Sequence, residues 1–314
     1  MKILITGGNG YIGSVLIPEL LRRGHSVTVI DLFERNYTSL IGCSNYSTFQ
    51  AIKGDCRDKK LIKSLIKDFD LIVPLAALVG APLCAMRPYD ARTVNLDSIR
   101  LLCELMSPEQ RLIYPTTNSG YGTANDIEIC TEDSPLRPIS IYGETKVEAE
   151  KFVMAREKSI SFRLATVFGV APSMRLDLLV NDFCFKAVNE RVLTIFEGHF
   201  RRNFVSINDV ARAIVYAIDN FERMQSETFN LGNDGSNVTK RQLADIVVEK
   251  CRNRGLEVHI VELDFASDPD KRDYMVSNEK LRKFGFEAEE SVTLGIEKVL
   301  TAYSMLPKNL FGNV

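Results

Sequence analysis

Three side chains in the middle of the sequence can do acid–base chemistry on an alcohol. Tyr142 and Lys146 stand four residues apart in Pro138-Ile-Ser-Ile-Tyr-Gly-Glu-Thr-Lys146, a spacing that puts both on one face of a helix. An ammonium beside a phenol favours the phenolate and draws a tyrosine from about 10 toward neutrality. A phenol tuned in this way accepts the proton of a substrate hydroxyl while a redox cofactor accepts hydride from the same carbon. Upstream, Thr117 in Thr116-Thr-Asn-Ser-Gly-Tyr-Gly122 offers a hydroxyl to hold that substrate oxygen. Tyr-x-x-x-Lys alone is most often an ordinary exposed helical pair, so its meaning depends on what precedes it.

What precedes it is a glycine-rich turn. Lys2-Ile-Leu-Ile-Thr6 passes at once into Gly7-Gly-Asn-Gly-Tyr-Ile-Gly13. Gly8-x-Gly10-x-x-Gly13, followed by Ile12, Val15, Leu16, Leu20 and Leu21 at helical spacing, reads as strand, tight turn and helix. Such a turn brings backbone close to a pyrophosphate at a helix N-terminus, making Gly7, Gly10, Tyr11, Ile12 and Gly13 candidates for cofactor contact. Glycine turns are common, and here an acid adds weight: Asp31, beside Leu32, stands at the end of the second strand. Its carboxylate can accept both ribose hydroxyls of adenosine and would repel a 2′-phosphate, which favours NAD. Arg35 leaves NADP open.

The elements that must position these groups alternate. Ser26 to Ile30, Phe49 to Ile52, Leu71 to Ala77 and Arg111 to Thr116 read as strands. Asp58 to Lys67 and Pro88 to Leu105 read as helices between them. Pro18 in the first helix and Pro74 in the fourth strand read as tolerated local distortions. Leu78-Val-Gly-Ala-Pro82, with Val79 in it, is a loop able to lie under a nicotinamide ribose. The alternation predicts an α/β fold, a doubly wound Rossmann parallel sheet with ligands at the strands' C-terminal ends. Residues 1–169, with 204–233 returning, would form the cofactor domain. Residues 170–203 and 234–314 would form a smaller, discontinuous substrate lobe.

The totals are consistent with a globular enzyme. The chain has 314 residues, a net charge of −2 and seven cysteines. A chain of this size can bury a large core. The near-zero charge points to no nucleic acid and no membrane surface as partner. The cysteines are scattered, with no Cys-x-x-Cys pair and no zinc spacing, and read as reduced thiols of a cytoplasmic protein. No acidic or His/Cys cluster suggests a metal. A first strand opening at residue 2 leaves no room for a leader, and no apolar run reaches the length of a membrane span.

Taken together, Thr6-Gly-Gly-Asn-Gly-Tyr-Ile-Gly13, Gly54-Asp55, Leu75-Ala-Ala77, the Thr117 segment and Tyr142-Gly-Glu-Thr-Lys146 resemble the extended short-chain dehydrogenase/reductases that act on nucleotide sugars. The resemblance continues through Phe162-Arg-Leu-Ala-Thr-Val-Phe-Gly169 and Arg202-Asn-Phe-Val-Ser-Ile-Asn-Asp-Val210, covering nearly the whole chain. It implies that Thr117, Tyr142 and Lys146 are catalytic. It implies further that Asp55 and Cys56 meet the adenine, and that Leu75, Ala76, Ala77 and Thr116 line the cofactor. Asn181 and Arg202 would contact the nucleotide diphosphate, with Arg272 a second diphosphate candidate. Val79, Asn118, Ser119, Thr166 and Arg175 would line the substrate. Family members commonly pair as homodimers through the helices at 88–105 and 141–157, whose faces carry Leu101, Leu102 and Val153.

One subgroup looks closer. Pro74-Leu-Ala-Ala-Leu-Val-Gly-Ala-Pro-Leu-Cys84, Met174-Arg-Leu-Asp-Leu-Leu-Val-Asn-Asp182 and Asp268-Pro-Asp-Lys-Arg-Asp-Tyr274 are similar to the GDP-D-glycero-D-manno-heptose 4-dehydrogenases of capsular heptose synthesis. That likeness implies a GDP-sugar substrate, tightly held NAD and regeneration of NAD by 2-oxoglutarate. Two departures bear on the chemistry. Family dehydratases carry an acid pair after the threonine; Asn118 and Ser119 cannot act as general acids near neutral pH, which argues against 4,6-elimination. Many members place an asparagine where this chain has Thr166. Oxidation at C4, 4-epimerisation with the same residues, and a non-catalytic NAD-binding protein are the three readings to weigh.

Overall fold

The computed structural model describes residues 1–34, 38–123, 129–263 and 273–305. In chain order the first half contains β1 (Lys2–Thr6), α1 (Tyr11–Arg22), β2 (Ser26–Asp31), β3 (Phe49–Lys53), α2 (Lys59–Leu65), β4 (Leu71–Pro74), α3 (Ala81–Met86), α4 (Pro88–Arg92), α5 (Ser98–Leu105), β5 (Arg111–Thr117), α6 (Ile141–Met154) and β6 (Ser159–Leu164). The second half adds β7 (Thr166–Phe168), α7 (Leu179–Asn189), β8 (Val192–Ile195), β9 (Arg201–Ser206), α8 (Ile207–Asp219), α9 (Phe221–Met224), β10 (Glu227–Leu231), β11 (Asn237–Thr239), α10 (Lys240–Arg252), β12 (His259–Glu262), α11 (Glu279–Lys283) and α12 (Val292–Met305).

Seven of these strands form one sheet in the order β3-β2-β1-β4-β5-β6-β10, every pair parallel. The order reverses between β1 and β4, so the crevice for a ligand opens at their C-terminal ends. The inner strands β1 and β4 are almost wholly apolar because both faces are covered, whereas the edge strand β3 leaves Gln50, Ala51 and Lys53 exposed. Ile3, Ile5, Val29, Val73, Ile113 and Phe162 pack with Leu16, Leu20, Val210 and Ile214 of α1 and α8. Leu4, Ile72, Leu112 and Tyr114 pack on the other face with Leu102, Ala149 and Val153 of α5 and α6. Each large side chain buried in this way contributes about 1.5–3 kcal/mol.

A separate core gathers Phe168, Phe183, Leu193, Leu243, Ile296 and Leu300 from β7, α7, β8, α10 and α12. Two small sheets serve it, β11-β9-β7 and β12-β8. Strand alternation divides β9 between the cores: Phe204 enters this one and Val205 the first. Thr239 caps α10 in a reciprocal box with Gln242, and Asp58 caps α2 by accepting from the amides of Lys60 and Leu61.

Two elements differ from expectation. β4 stops at Pro74 rather than Ala77; the proline lies in register with Thr6, and the chain turns away beyond it. The helix expected over 88–105 is interrupted by a π-helical turn, Thr93–Asp97, and preceded by the unexpected α3. Such turns often serve functional sites, and this one carries a buried asparagine described below. Among the described residues no helix is long and apolar enough to cross a membrane, and all seven cysteines are free.

A buried ion pair joins the parts behind β5. Arg163 Nη2 lies 2.8 Å from Glu150 Oε1, the side chains 9% and 7% exposed. Arg163 Nη1 also donates to Tyr121 OH (3.1 Å) and the Glu132 carbonyl (2.9 Å), and Tyr121 OH donates to Asn230 Oδ1 (2.6 Å). Removing one partner strands a buried charge, so Glu150→Ala should lower stability by about 3–5 kcal/mol in urea unfolding. A midpoint equal to that of the unaltered protein would show that the pair is dispensable.

Candidate active site

The cofactor cradle is built from backbone. Gly7 has φ +70°, and a methyl there would lie 2.4 Å from the Ala76 amide nitrogen; one on Gly13 would lie 2.0 Å from the Gly8 carbonyl oxygen. Only glycine permits these approaches. Gly10 begins α1 without a side-chain cap, so amides of the first turn remain available to an anion. Tyr11 and Ile12 form that turn. Asp31 Oδ2 accepts the Asn9 amide at 2.9 Å and Oδ1 the Phe33 amide at 3.0 Å. The carboxylate therefore anchors the glycine loop, and its remaining lone pairs can receive ribose hydroxyls. Leu32 beside it is exposed. Cradle, open helix end and carboxylate fit NAD. Arg35 lies outside the described residues.

The adenine candidates are only partly free. Arg57 grips Asp55, with Nη2 2.6 Å from Oδ2, and holds its carboxyl below the usual range, chiefly by hydrogen bonding. Burial pushes the Cys56 thiol up to about 11. The Leu75 amide donates to the Thr6 carbonyl at 2.8 Å, and Ala76 packs against Gly7, which fixes the path of 75–77 beside the cradle. Asn95, on the π-helical turn, pins the next residue: its Oδ1 accepts the Leu78 amide (2.8 Å) and its Nδ2 donates to the Leu78 carbonyl (2.9 Å). Sequence reading missed Asn95. Its only signal was a polar residue set between Val94 and Leu96. Val79 lies in the loop that Asn95 holds.

Thr117 ends β5, with Oγ1 donating to Ser119 Oγ at 3.0 Å and accepting the Ser119 amide at 3.1 Å. Ser140 caps α6 by accepting the Gly143 amide at 3.2 Å. The helix then rests on the turn after β5. A methyl on Gly143 would lie 3.2 Å from the Ser119 carbonyl oxygen, and one on Gly120 2.8 Å from Val147 Cγ2. The first turn of α6, which carries Tyr142, is thus brought onto the Thr117 turn. Thr116, Asn118 and Ser119 are all buried there.

Lys146 is anchored over β5. Its Nζ donates to the Pro115 carbonyl at 2.8 Å and lies 4.1 Å from the centre of the Tyr114 ring. Burial lowers it to about 7, with Glu150 pulling the other way. At neutral pH this lysine sits near its midpoint. A second cation is within electrostatic reach of Tyr142: the guanidinium of Arg175. Burial opposes the charge on Arg175, while its hydrogen bonds to Asp177 sustain it.

Asn181, expected at the diphosphate, is fully buried. Its Oδ1 accepts the Gly169 amide (3.1 Å) and its Nδ2 donates to the Arg175 carbonyl (2.8 Å), while Tyr11 OH donates to the Gly169 carbonyl (2.7 Å). The amide is spent on a clasp between α1 and the 169–175 segment. Arg201 grips Asp273 through Nε (3.0 Å) and its own amide (2.9 Å). Arg202 is buried, with Nη1 donating to the Arg201 carbonyl at 3.0 Å. Thr166 lies on β7 opposite Phe204. Arg272 falls outside the described residues. Among the described residues no His, Cys, Asp and Glu group could hold a metal.

Two outcomes follow from this geometry. Gly13→Ala should abolish retention of NAD, seen as loss of bound cofactor after desalting; normal retention would mean that the cradle is looser than its contacts. The second concerns pH. Unfolded Lys146 keeps its proton up to its ordinary value of 10.5, whereas folded it loses it near 7. Between these values the unfolded chain binds more protons, so this group adds stability as pH rises, by at most about 1.4 kcal/mol per unit. Urea unfolding of NAD-free protein at pH 6 to 9 should show the stability of the unaltered chain gaining on that of Lys146→Met. A difference that stays flat with pH would contradict the dry environment of this lysine.

Comparison with known proteins gives the family. Residues 3–232 match the model of the NAD dependent epimerase/dehydratase family. The chain is 26% identical to the low-salt glycan biosynthesis protein Agl12 of Haloferax volcanii, over 96% of this chain and 98% of that one. It is 28% identical to a UDP-glucose 4-epimerase of Corynebacterium glutamicum over 80% of each. Its fold is similar to that of the UDP-glucuronic acid 4-epimerase of Bacillus cereus in complex with UDP-glucuronic acid and NAD. The TM-score is 0.84 at 24% identity, with 97% of this chain and 99% of that one covered. The chain therefore belongs to the NAD dependent epimerase/dehydratase family, whose model spans residues 3–232.

Proposed function

We propose that this protein oxidises C4 of a nucleotide-activated sugar to the 4-keto sugar, with a GDP-heptose the favoured substrate. The observation that carries the reading is the packing of the first turn of α6, with Tyr142, on the Thr117 turn at the same sheet edge as the cradle. When bound, NAD supplies the acceptor for the C4 hydride. Thr117 orients the C4 hydroxyl, and Tyr142 takes its proton as the C4–H bond breaks, leaving a ketone. Lys146, fixed by the Pro115 carbonyl, tunes Tyr142 and meets the nicotinamide ribose. Asn118 and Ser119 offer no acid to expel a neighbouring hydroxyl, so the ketone keeps all its oxygens. Reduction of 2-oxoglutarate to 2-hydroxyglutarate, taking the hydride and one proton, closes the cycle.

Within this reading, 1–169 with 204–233 holds NAD, and 170–203 with 234–314 holds the nucleotide sugar. The two parts interlock along that boundary, with Phe168 and Phe204 packing in the second core and Leu281 and Phe286 in the first. Arg202 pairs with the diphosphate through its planar fork, and Arg175 and Arg272 assist. A homodimer forms through α4 and α6, where Tyr89 and Phe152 are exposed; Leu102 and Val153 are core residues and take no part. A 4-epimerase is the second reading, favoured by the Corynebacterium glutamicum relative. It needs the same side chains and a keto sugar that turns over before hydride returns.

Incubation with GDP-heptose and 2-oxoglutarate should yield a 4-keto sugar and 2-hydroxyglutarate, whereas a C4-inverted sugar formed without any oxidant would select the epimerase. Tyr142→Phe should retain NAD and lose turnover by at least 100-fold, about 3 kcal/mol of barrier. Retained activity would remove Tyr142 from its role.

A further inference from the structure

We infer that the ring of Tyr114 keeps Lys146 in its ammonium form and fixes it on β5, which makes Tyr114 a positioning residue for the proton transfer to Tyr142. This role rests on the functional reading above and adds to it a residue that acts from within the core.

The placement follows from the alternation of β5. Leu112 and Tyr114 point to the face covered by α5 and α6, and Ile113 points to the other. On α6, Lys146 precedes Ala149 and Val153 at helical spacing, so it lies in the row that meets Tyr114. Its Nζ stands 4.1 Å from the centre of the Tyr114 ring and donates to the Pro115 carbonyl at 2.8 Å. Lys146 is 5% exposed and Tyr114 is fully buried. An ammonium over an aromatic face is attracted by the ring quadrupole, most strongly where water is absent. One ring face and one carbonyl dipole thus replace the water that burial has removed.

Among the described residues, the nearby acids are committed elsewhere. Glu150, one turn on, acts on Lys146, but Arg163 grips it, with Nη2 2.8 Å from Oε1. On the stretch 92–104, Arg92 pairs with Glu148, and Arg100 with Asp97 and Glu104, all at the surface. Cys103 of α5 lies within electrostatic reach of Tyr114, and burial raises its thiol to about 11, uncharged at neutral pH. Tyr142 is within reach of the same ring. The Tyr114 hydroxyl is buried with no hydrogen-bond partner, and burial keeps it neutral. An unmatched hydroxyl is a cost, so the ring is the part that this position uses. Without the ring face, the dry lysine would lose its proton at lower pH, and a neutral amine does not favour the Tyr142 phenolate.

A double-mutant cycle on the NAD-free protein tests this without any substrate. Urea unfolding is measured at pH 6 and pH 9 for the unaltered chain, Tyr114→Leu, Lys146→Met and the double variant. The folded lysine, with its midpoint at about 7, is mostly charged at the first pH and neutral at the second. The coupling between the two positions should be roughly 5- to 30-fold in the unfolding constant at pH 6 and shrink to about twofold at pH 9, where packing alone remains. Coupling equal at both pH values would overturn the inference. Tyr114→Met, which is slimmer and more pliable, takes the place of the leucine variant if that one does not fold. Turnover gives a second readout. Tyr114→Leu should lower kcat by a factor similar to the coupling, with KM within about twofold, because its effect passes through Lys146. Tyr114→Phe should keep kcat within about twofold and melt no earlier, having lost only the unmatched hydroxyl. A phenylalanine variant as slow as the leucine one would also overturn the inference. If the unaltered protein oxidised no nucleotide sugar, the functional reading would fall, and the pH-dependent coupling would still decide whether Tyr114 holds the charge of Lys146.

Discussion

The site depends on how closely two pieces of backbone approach at the reversal point of the sheet. The end of β1 and the residues after β4 meet where Gly7 faces Leu75 and Ala76, with no space for a β-carbon between them. This contact sets the floor of the crevice. From it α1 leaves on one side, and on the other runs the loop that Asn95 pins through Leu78. Parallel pairing then carries the same edge across to β5, so that Thr117 ends level with Leu164 of β6. α6 can reach that edge because Gly120 and Gly143 remove the side chains that would hold it off.

Electrostatics adds a second layer. The interior behind β5 is dry enough to bring Lys146 to about 7, yet it also holds the Glu150–Arg163 pair. The two are compatible because Arg163 returns the charge of Glu150 and leaves the lysine only a weak share of it. A lysine near its midpoint can change protonation with little free-energy cost at neutral pH. Arg175 differs in that its guanidinium keeps its charge, held by Asp177. One cation that titrates and one that does not thus act on the surroundings of Tyr142.

Much of this was legible in the chain because its signals are local. Gly8-x-Gly10-x-x-Gly13, Thr239 with Gln242 three residues on, and Asp58 before α2 are rules of turn and cap that a few neighbouring residues satisfy among themselves. The apolar strands spoke for a covered parallel sheet. What was illegible depends on distant partners. Asn181 looks like any polar helix residue until Tyr11 and Gly169 are brought to it, and Arg201 is a surface arginine until Asp273 arrives. The π-helical turn at Thr93–Asp97 leaves the apolar spacing nearly intact, so periodicity read one helix across it. Pro74 reads in sequence as a distortion within a strand and is its end.

The clasp between α1 and the segment after β7 ties the glycine turn to the rest of the fold. Tyr11, in the first turn of α1, donates to the Gly169 carbonyl, and Ser14 accepts the amide of Ser173. Both bonds are buried. Any movement that draws α1 away from the 169–175 segment must break them, so the helix that opens the cradle and the strands of the second core shift as one piece.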